Sequence, residues 1–326
     1  MKYSPVARFT SIRFLLSISS ILGLIVHQMD VETAFLNAEL KEEIYMYPPS
    51  GMEIREGHVL RLLKTLYGLK QSPKEWNAHL NKFMISMLFT RITADSCVYI
   101  RKSPKGTVII AVYVDDLIIA GSSERLVESV KAAFRNRYKM KDMGALEYVL
   151  GVRVDQQPEK NVIQLSQKTY ILDMLVKYKL ENCKTVDTPM SSRVRLTKAM
   201  SPTTSQGSVD MEKYPYREAV GSLLWIANGT RPDIAFSVSQ VAKFMSNPGM
   251  EHWEAVKRIL RYLKGTQNVK ITYNGLRNVS IAGYTSEDLP LVNKFKDSIE
   301  GTSMKRVRVN PELYVDADYA ADPDSR

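Results

Sequence analysis

Runs of apolar residues predict where this chain forms buried strands. Residues 108–120 contain two β-branched runs, one on each side of Asp115 and Asp116, which indicates two buried strands joined by a tight turn at this acidic pair. A third apolar run, residues 21–26, ends shortly before Asp30. This spacing places Asp30 at or near the end of another strand.

Elsewhere the spacing of apolar residues is helical. Residues 6–22 predict a largely buried helix. Residues 124–138 predict an amphipathic helix with Lys131 and Arg135 away from its apolar side, which is formed by Leu126, Val130, Ala133 and Phe134. The other predicted elements are a strand broken at Gly151 (146–154), its return strand (162–165), helices at 170–178, 216–228, 232–245 and 252–265, and a linker at 184–213.

Composition sets broad limits on the class of protein. A chain of 326 residues is long enough for about two domains. Its 44% hydrophobic and 25% charged content is typical of globular proteins. The net charge of +10 fits a polyanionic partner such as nucleic acid but does not establish one. Two cysteines are too few for a disulfide framework and suggest a reducing compartment.

The sequence predicts neither a membrane span nor a zinc site. No apolar stretch reaches the roughly 18 residues of a span, and the four histidines lack zinc-ligand spacing. Residues 1–26 imitate the basic and apolar regions of a signal peptide. Because cleavage there would remove the helix that leads into Asp30, we expect a protein that is not secreted.

The acids are the first candidates for chemistry. Burying the charges of Asp115 and Asp116 between two strands costs free energy unless positive charge compensates them. A divalent cation can supply this charge, because it binds carboxylate oxygens as ligands. An ordinary hairpin turn is the alternative. Asp30 is a third candidate, with a helix N-cap as its alternative role. Three such acids can hold two metal ions about 4 Å apart, the arrangement used for phosphoryl transfer on nucleic acids.

These residues also carry a family resemblance. The tetrapeptide at 113–116, YVDD, resembles the polymerase motif of reverse transcriptases, and the surrounding sequence is similar to copia-type long-terminal-repeat retrotransposons. The resemblance rests on nine blocks in family order: HQMDVETAFLNAEL (27–40), EIYMYPPSG (43–51), LYGLKQSPKEW (66–76), YVDDLIIAG (113–121), EYVLGV (147–152), QLSQKTYI (164–171), AVGSLLWIANGTRPDIAF (219–236), KFMSNPGMEHWEAVKRILRYLKGT (243–266) and YVDADYAADPDSR (314–326).

The resemblance implies an α+β fold and an activity. Residues 1–165 would form a reverse-transcriptase palm, an antiparallel sheet with packed helices and partial fingers, and 166–275 a helical thumb and connection. The implied activity is that of an RNA-directed DNA polymerase, with Asp30, Asp115 and Asp116 as catalytic metal ligands for two Mg²⁺ ions, or Mn²⁺. Its partners would be an RNA or DNA template-primer duplex and deoxynucleotide triphosphates, in a cytoplasmic virus-like particle or the nucleus.

Residues near the acids are implied to bind the nucleotide. Phe35 would lie under its sugar and exclude a 2′-hydroxyl, although the residue type alone also fits a core aromatic. Gly68, Lys70 and Gln71 would contact the nucleotide, and Lys74 the nucleic-acid backbone. The alternative for this block is a glycine turn before an ordinary helix.

Further contacts are implied in the second half of the chain. Leu150 and Gly151 resemble the primer grip, the hairpin that holds the 3′ end of the primer. The helix at 252–265 has a basic face that would follow the duplex backbone, with a merely solvated face as the alternative. The cations of this face are Lys257, Arg258, Arg261 and Lys264.

The two ends of the chain depart from the family pattern. Residues 313–326 resemble the start of a ribonuclease H domain, with Asp316 as a metal ligand, and 276–312 predict an irregular insertion. Only 29 residues precede Asp30, so we expect most of the fingers to be absent and extension to be weak. The alternatives are a non-catalytic remnant that still binds nucleic acid and, less favoured, a metal-dependent nuclease.

Overall fold

The computed structural model describes residues 4–191, 194–204 and 211–275. The predicted segments after residue 275, including Asp316, lie outside the described residues. The chain is a mixed α+β protein with antiparallel sheets and helices, as the sequence predicts at this coarse level. It forms two compact units, and the described part of the first comprises residues 4–146, 156–163 and 273–275.

A six-stranded antiparallel sheet forms the centre of the first unit, in the order β4-β5-β6-β7-β1-β8. Strands β2 and β3 form a separate two-stranded ribbon. The bounds are β1 Ile25–Val31, β2 Tyr45–Met46, β3 Leu60–Arg61, β4 Thr90–Arg91, β5 Val98–Ser103, β6 Gly106–Tyr113, β7 Asp116–Gly121 and β8 Met140–Ala145.

Helices α1 (Phe9–Leu22), α2 (Ser72–Ser86) and α3 (Glu124–Arg137) belong to the same unit. Helix α1 contacts β1 and β6, and α3 contacts β1, β6, β7 and β8. Successive residues of β6 from Val108 to Val112 are all buried, which explains their continuous apolar run, since side chains of alternate residues point to opposite faces of a sheet. Helix α1 differs from the prediction because Phe14 remains 42% exposed.

Two predictions for this unit are wrong in detail. The acidic pair does not form the turn itself, since the two-residue connection is Val114-Asp115 and Asp116 already pairs with Tyr113 in the ladder. Lys131 is not kept away from the buried side of α3 but belongs to it, together with Val130 and Phe134. It is 4% exposed, because an ion pair with Asp142 at 2.7 Å satisfies its charge beneath the sheet.

Four helices build the core of the second unit. They bury a core that includes Leu223, Val238, Trp253 and Leu260. Arg231 is fully buried and donates to Asp233 and to the carbonyl of Thr266. The helices are α4 Lys168–Lys177, α5 Tyr216–Gly229, α6 Ala235–Ala242 and α7 Met250–Gly265. The predicted helix at 232–245 is shorter than expected, because its first turn, Pro232–Ile234, is a 3₁₀ turn.

The remaining strands are short. Strands β9 and β10 form a hairpin in which Val149 pairs with Val152. The two residues between them, Leu150 and Gly151, both have positive φ angles, 50° and 78°, as a two-residue type I′ turn requires. The bounds are β9 Tyr148–Val149, β10 Val152–Gln157, β11 Val162–Ser166 and β12 Ile271–Asn274.

Candidate active site

The register between β1 and β7 brings the predicted acids together. Asp30 is the direct cross-strand partner of Asp116, and side chains opposite each other in an antiparallel pair project from the same face of the sheet. The backbone N–H of Val31 donates to the carbonyl oxygen of Asp115 at 2.9 Å. Residues some 85 positions apart in the sequence therefore meet at one end of the sheet. Asp30 lies within a strand, which excludes the N-cap alternative.

The turn that carries Asp115 is strained. Val114 has a φ of 59°, a left-handed conformation that is unfavourable for a β-branched residue. The indole N–H of Trp76 donates to the Val114 carbonyl oxygen at 2.8 Å. Trp76 lies on α2 and is 2% exposed, so a rigid buried donor holds the turn in this conformation.

Two polar side chains hold the carboxylates of the hairpin. Gln28 donates from Nε2 to Asp116 Oδ1 at 2.9 Å, and it lies two residues before Asp30 on the same face of β1. Tyr67 donates from its hydroxyl to Asp115 Oδ2 at 3.3 Å. Neither residue is among the site residues predicted from the sequence. The period-two spacing of Gln28 and Asp30 is a signal that can find the first, whereas nothing local indicates the second.

Burial and neighbouring charges change the pKa values of Asp30 and Asp116. Burial, followed by the nearby charges of Asp115 and Asp116, raises the pKa of Asp30 above its ordinary value, while Lys141 opposes this shift. Burial also raises the pKa of Asp116, and the hydrogen bond from Gln28 offsets part of that rise. Negative charge is therefore concentrated here at an energetic cost, which a bound cation would remove.

The fit to a metal rests on donor chemistry. Within residues 4–191, 194–204 and 211–275, no three acidic, histidine or cysteine side chains converge as a ready cation-binding group. Asp30, Asp115 and Asp116 nevertheless supply the hard oxygen donors that Mg²⁺ and Mn²⁺ prefer. Asp30 lies opposite Asp116 in the β1–β7 pair, and the backbone of the next residue, Val31, is hydrogen-bonded to Asp115, so these donors lie at one end of the sheet. Asp30, Asp115 and Asp116 therefore have the donor chemistry that a Mg²⁺ or Mn²⁺ ion requires.

The residues that are predicted to bind the nucleotide differ in their exposure and in their contacts. Phe35 is 7% exposed, and its ring centroid lies 4.5 Å from that of Tyr67. Gly68 has a φ of 97°, so its backbone needs glycine, and space is open beside its Cα. Lys70 is exposed, whereas Gln71 donates to Glu42 at 2.5 Å. Phe35 is thus a core residue that also adjoins the site, so both alternatives for it stand.

The predicted backbone-binding cations are largely engaged within the chain. Lys74 is exposed and lies 3.9 Å from Glu75. On α7, Lys257 pairs with Glu254 at 2.5 Å, and the other three cations donate to the segment 183–188. The contacts are Arg258 to Thr188 Oγ1 at 2.9 Å, Arg261 to the Lys184 carbonyl oxygen at 2.7 Å and Lys264 to the Cys183 carbonyl oxygen at 2.6 Å.

These contacts correct the picture of an open basic face on α7. They also show that the start of the predicted 184–213 linker packs on this helix. A contact between the α7 cations and nucleic acid stays a prediction. For this contact, residues 183–188 would have to move off α7, or the three cations would have to donate to these residues and to nucleic acid at the same time.

A family model described as "Reverse transcriptase (RNA-dependent DNA polymerase)" matches residues 1–192, more than half of the chain. The chain belongs to the reverse transcriptase family. Its relatives place this reverse transcriptase region in the Pol polyproteins of copia-type retrotransposons, which confirms the resemblance found from the nine blocks.

Three relatives illustrate the extent of the similarity. The retrovirus-related Pol polyprotein from transposon TNT 1-94 of Nicotiana tabacum is 41% identical over 88% of this chain and 22% of its own length. The Pol polyprotein from transposon RE1 of Arabidopsis thaliana is 35% identical over 88% of this chain and 19% of its own length. The putative transposon Ty5-1 protein of Saccharomyces cerevisiae is 35% identical over 78% of this chain and 82% of its own length.

The chain therefore spans about a fifth of the length of the Pol polyproteins that it matches. No helix among the described residues is long and apolar enough to cross a membrane.

Proposed function

We propose that this reverse transcriptase region is an RNA-directed DNA polymerase that adds deoxynucleotides to the 3′-hydroxyl of a primer. The observation that carries the proposal is the pairing of Asp30 with Asp116 next to Asp115. In this proposal the six-stranded sheet is the palm, residues 39–71 belong to partial fingers, and the helical second unit is the thumb and connection. The substrates are an RNA or DNA template-primer duplex and deoxynucleotide triphosphates, and the site of action is a cytoplasmic virus-like particle or the nucleus.

The acids have the central role. Asp30 and Asp115 would hold the cations directly, and Asp116, already fixed by Gln28, would be the third ligand. Two Mg²⁺ ions bound there would supply Lewis acidity, which would lower the pKa of the attacking hydroxyl and stabilise the leaving pyrophosphate. The strained turn at Val114 and its indole donor keep Asp115 in a fixed direction before substrate binds.

The surrounding side chains position the nucleotide. Phe35 excludes a 2′-hydroxyl, and the Tyr67 ring that packs on it supports that wall. Gly68 leaves its backbone open to a flat base. Lys70 contributes positive charge, Gln71 a polar contact, and Leu150 and Gly151 hold the end of the primer in the β9–β10 turn.

A primer-extension assay tests the proposal directly. The purified chain is given a homopolymer template, a labelled primer, the matching deoxynucleotide and Mg²⁺. We expect template-dependent extension that Asp115→Asn abolishes. The matched control is Asp173→Asn, which changes an exposed acid on α4 in the same way and should leave extension intact.

The same assay separates the alternatives. Salt-sensitive binding of the duplex without extension supports a non-catalytic nucleic-acid-binding protein. Mg²⁺-dependent degradation of the template that is lost in Asp115→Asn supports a nuclease. Extension that is equal in the wild type and in Asp115→Asn contradicts the assigned role of the acids.

A further inference from the structure

A buried lysine lies beneath the sheet, on the face opposite the acids. Lys131 of α3 is 4% exposed, and its ammonium group lies 2.7 Å from Asp142 Oδ1 and 3.1 Å from Nδ1 of His27. Lysine is almost never buried to this degree unless it is paired. The three residues lie on α3, β1 and β8, so one cation links three elements of the first unit.

Next to this ion pair, β8 contains a bulge. Gln28 of β1 is paired with Gly144, but the next residue, Met29, is paired with Asp142. One residue of β8 between them, Met143, therefore has no partner in the ladder. Gly144 has a φ of 73°, and its N–H donates to Asp142 Oδ1 at 3.0 Å. The carboxylate that Lys131 binds therefore also closes the bulge.

The bulge decides which charge lies opposite Asp30. With it, the cross-strand partner of Asp30 is Lys141. If the ladder continued regularly from the pair of Gln28 with Gly144, Asp30 would instead face Asp142. A slip of one residue in a strand also moves every side chain to the other face of the sheet. In that alignment the acidic site would lose the ammonium group of Lys141 and gain a fourth carboxylate, that of Asp142.

We propose that Lys131 is a positioning residue for the acidic site, because its ion pair with Asp142 fixes the bulge that sets Lys141 opposite Asp30. Arg135 assists from the same helix, with NH1 2.9 Å from Asp142 Oδ2. The register itself does not depend on the proposed polymerase function. Its consequence for the chemistry rests on that function.

The register can be read with two disulfide reporters. Val31 is paired with Met140 in the bulged ladder and would be paired with Lys141 in the regular one. The double variants Val31→Cys with Met140→Cys, and Val31→Cys with Lys141→Cys, are made in a Cys183→Ser background. Mild oxidation followed by peptide mass spectrometry then gives the yield of each cross-link.

With Lys131 present, we expect the 31–140 cross-link to predominate. In Lys131→Met, which keeps the apolar stem but removes the charge, we expect the 31–141 cross-link to replace it. An unchanged preference for 31–140 in Lys131→Met overturns the proposal.

Glycine variants keep the proposal testable if Lys131→Met fails to fold. Gly144→Ala leaves every charge in place but disfavours the left-handed conformation of the bulge. No heavy atom lies within 4 Å of the added Cβ, so strain is its main effect. Gly57→Ala is the matched control, because Gly57 has a φ of 79° and equally open space but lies outside the sheet. Gly144→Ala should shift the cross-link towards 31–141, and Gly57→Ala should not; equal patterns in the two variants contradict the proposal.

Binding of Mn²⁺, followed by electron paramagnetic resonance without nucleic acid, connects the register to the site. Lys131→Met should bind Mn²⁺ more tightly than the wild type, because a carboxylate replaces a cation next to Asp30, while primer extension falls. Loss of the fold would instead weaken both Mn²⁺ binding and primer extension. A switched cross-link in a chain that never extends primers leaves the register proposal standing and removes the proposed function. Weaker Mn²⁺ binding in a folded variant with a switched cross-link contradicts the electrostatic part of the inference.

Discussion

The hydrogen bond from Trp76 to the strained turn allows a quantitative test of how the acidic hairpin is held. Trp76→Phe keeps a buried aromatic ring but removes the indole N–H that donates to the Val114 carbonyl oxygen at 2.8 Å. Val114 then keeps its unfavourable φ of 59° without the donor that stabilises it. The first unit should therefore become less stable, and the side chain of Asp115 should no longer be held in one direction.

The expected size follows from two losses. The part-buried Val114 carbonyl oxygen, left without its donor, costs about 1–3 kcal/mol. The smaller ring gives up roughly two buried methylene equivalents, about 1.6 kcal/mol. The free energy of unfolding should therefore fall by about 3–5 kcal/mol. At 2–4 °C per kcal/mol for a unit of this size, the melting temperature should fall by roughly 6–20 °C.

The assays are urea unfolding followed by circular dichroism, and Mn²⁺ binding on the folded variant. Trp253→Phe is the matched control, since Trp253 is 6% exposed in the core of the second unit. It should also destabilise the protein but leave Mn²⁺ binding unchanged. Trp76→Phe should weaken Mn²⁺ binding and primer extension beyond what its stability loss explains.

A double variant checks the physical reason. Val114→Gly removes the strain, because glycine adopts positive φ readily. Adding it to Trp76→Phe should restore part of the lost Mn²⁺ affinity. If Trp76→Phe binds Mn²⁺ as tightly as Trp253→Phe does, the indole does not hold the turn and the reasoning is refuted.

Three further predictions concern other contacts. Tyr67→Phe removes the hydroxyl that donates to Asp115 while keeping the ring, so extension should change and the melting temperature should not; a large fall in melting temperature would show a structural role instead. Arg231→Met removes a fully buried guanidinium that donates to Asp233 and to the Thr266 carbonyl oxygen. Because Asp233 itself is exposed, urea unfolding should show a loss of about 1–3 kcal/mol; unchanged stability would contradict this. Although burial raises the pKa of Asp233, hydrogen bonds from Arg231 and Tyr262 lower it below its ordinary 3.8 overall. Because this folded-state pKa is depressed, the stabilisation is present above pH 3.8 and is lost as the pH falls below it, and Asp233→Asn should remove that part of the acid dependence.

Some features could be predicted from the sequence because they depend on local composition. The β-branched runs around Asp115 and Asp116 have few stable environments except buried strands, and the structure contains both strands. The Ser72-Pro73 start of α2 and the apolar side of α7 follow equally local rules. The family could be predicted because nine blocks occur in one order.

Other features depend on pairings between distant residues, and local patterns do not encode these. The spacing of apolar residues on α3 places Lys131 away from the apolar side of the helix. It is nevertheless buried, because Asp142 on β8 forms an ion pair with it. The cations of α7 form a basic face in projection, but three of them donate to residues 183–188. Whether a charge is free or satisfied is a property of the folded contacts.

The sequence by itself determined the two strands beside Asp115 and Asp116, most helices, the copia-type family and the choice of the three acids as candidates, because each follows from residue types at short range or in fixed order. Only the tertiary structure decided that Asp30 faces Asp116 and Lys141, that Gln28 and Tyr67 hold the other two carboxylates, and that Val114 is strained. The reason is register: strands pair through backbone groups that are nearly identical at every position, so a shift of one residue costs little locally. It is the buried side chains and ion pairs of the complete fold that select one alignment.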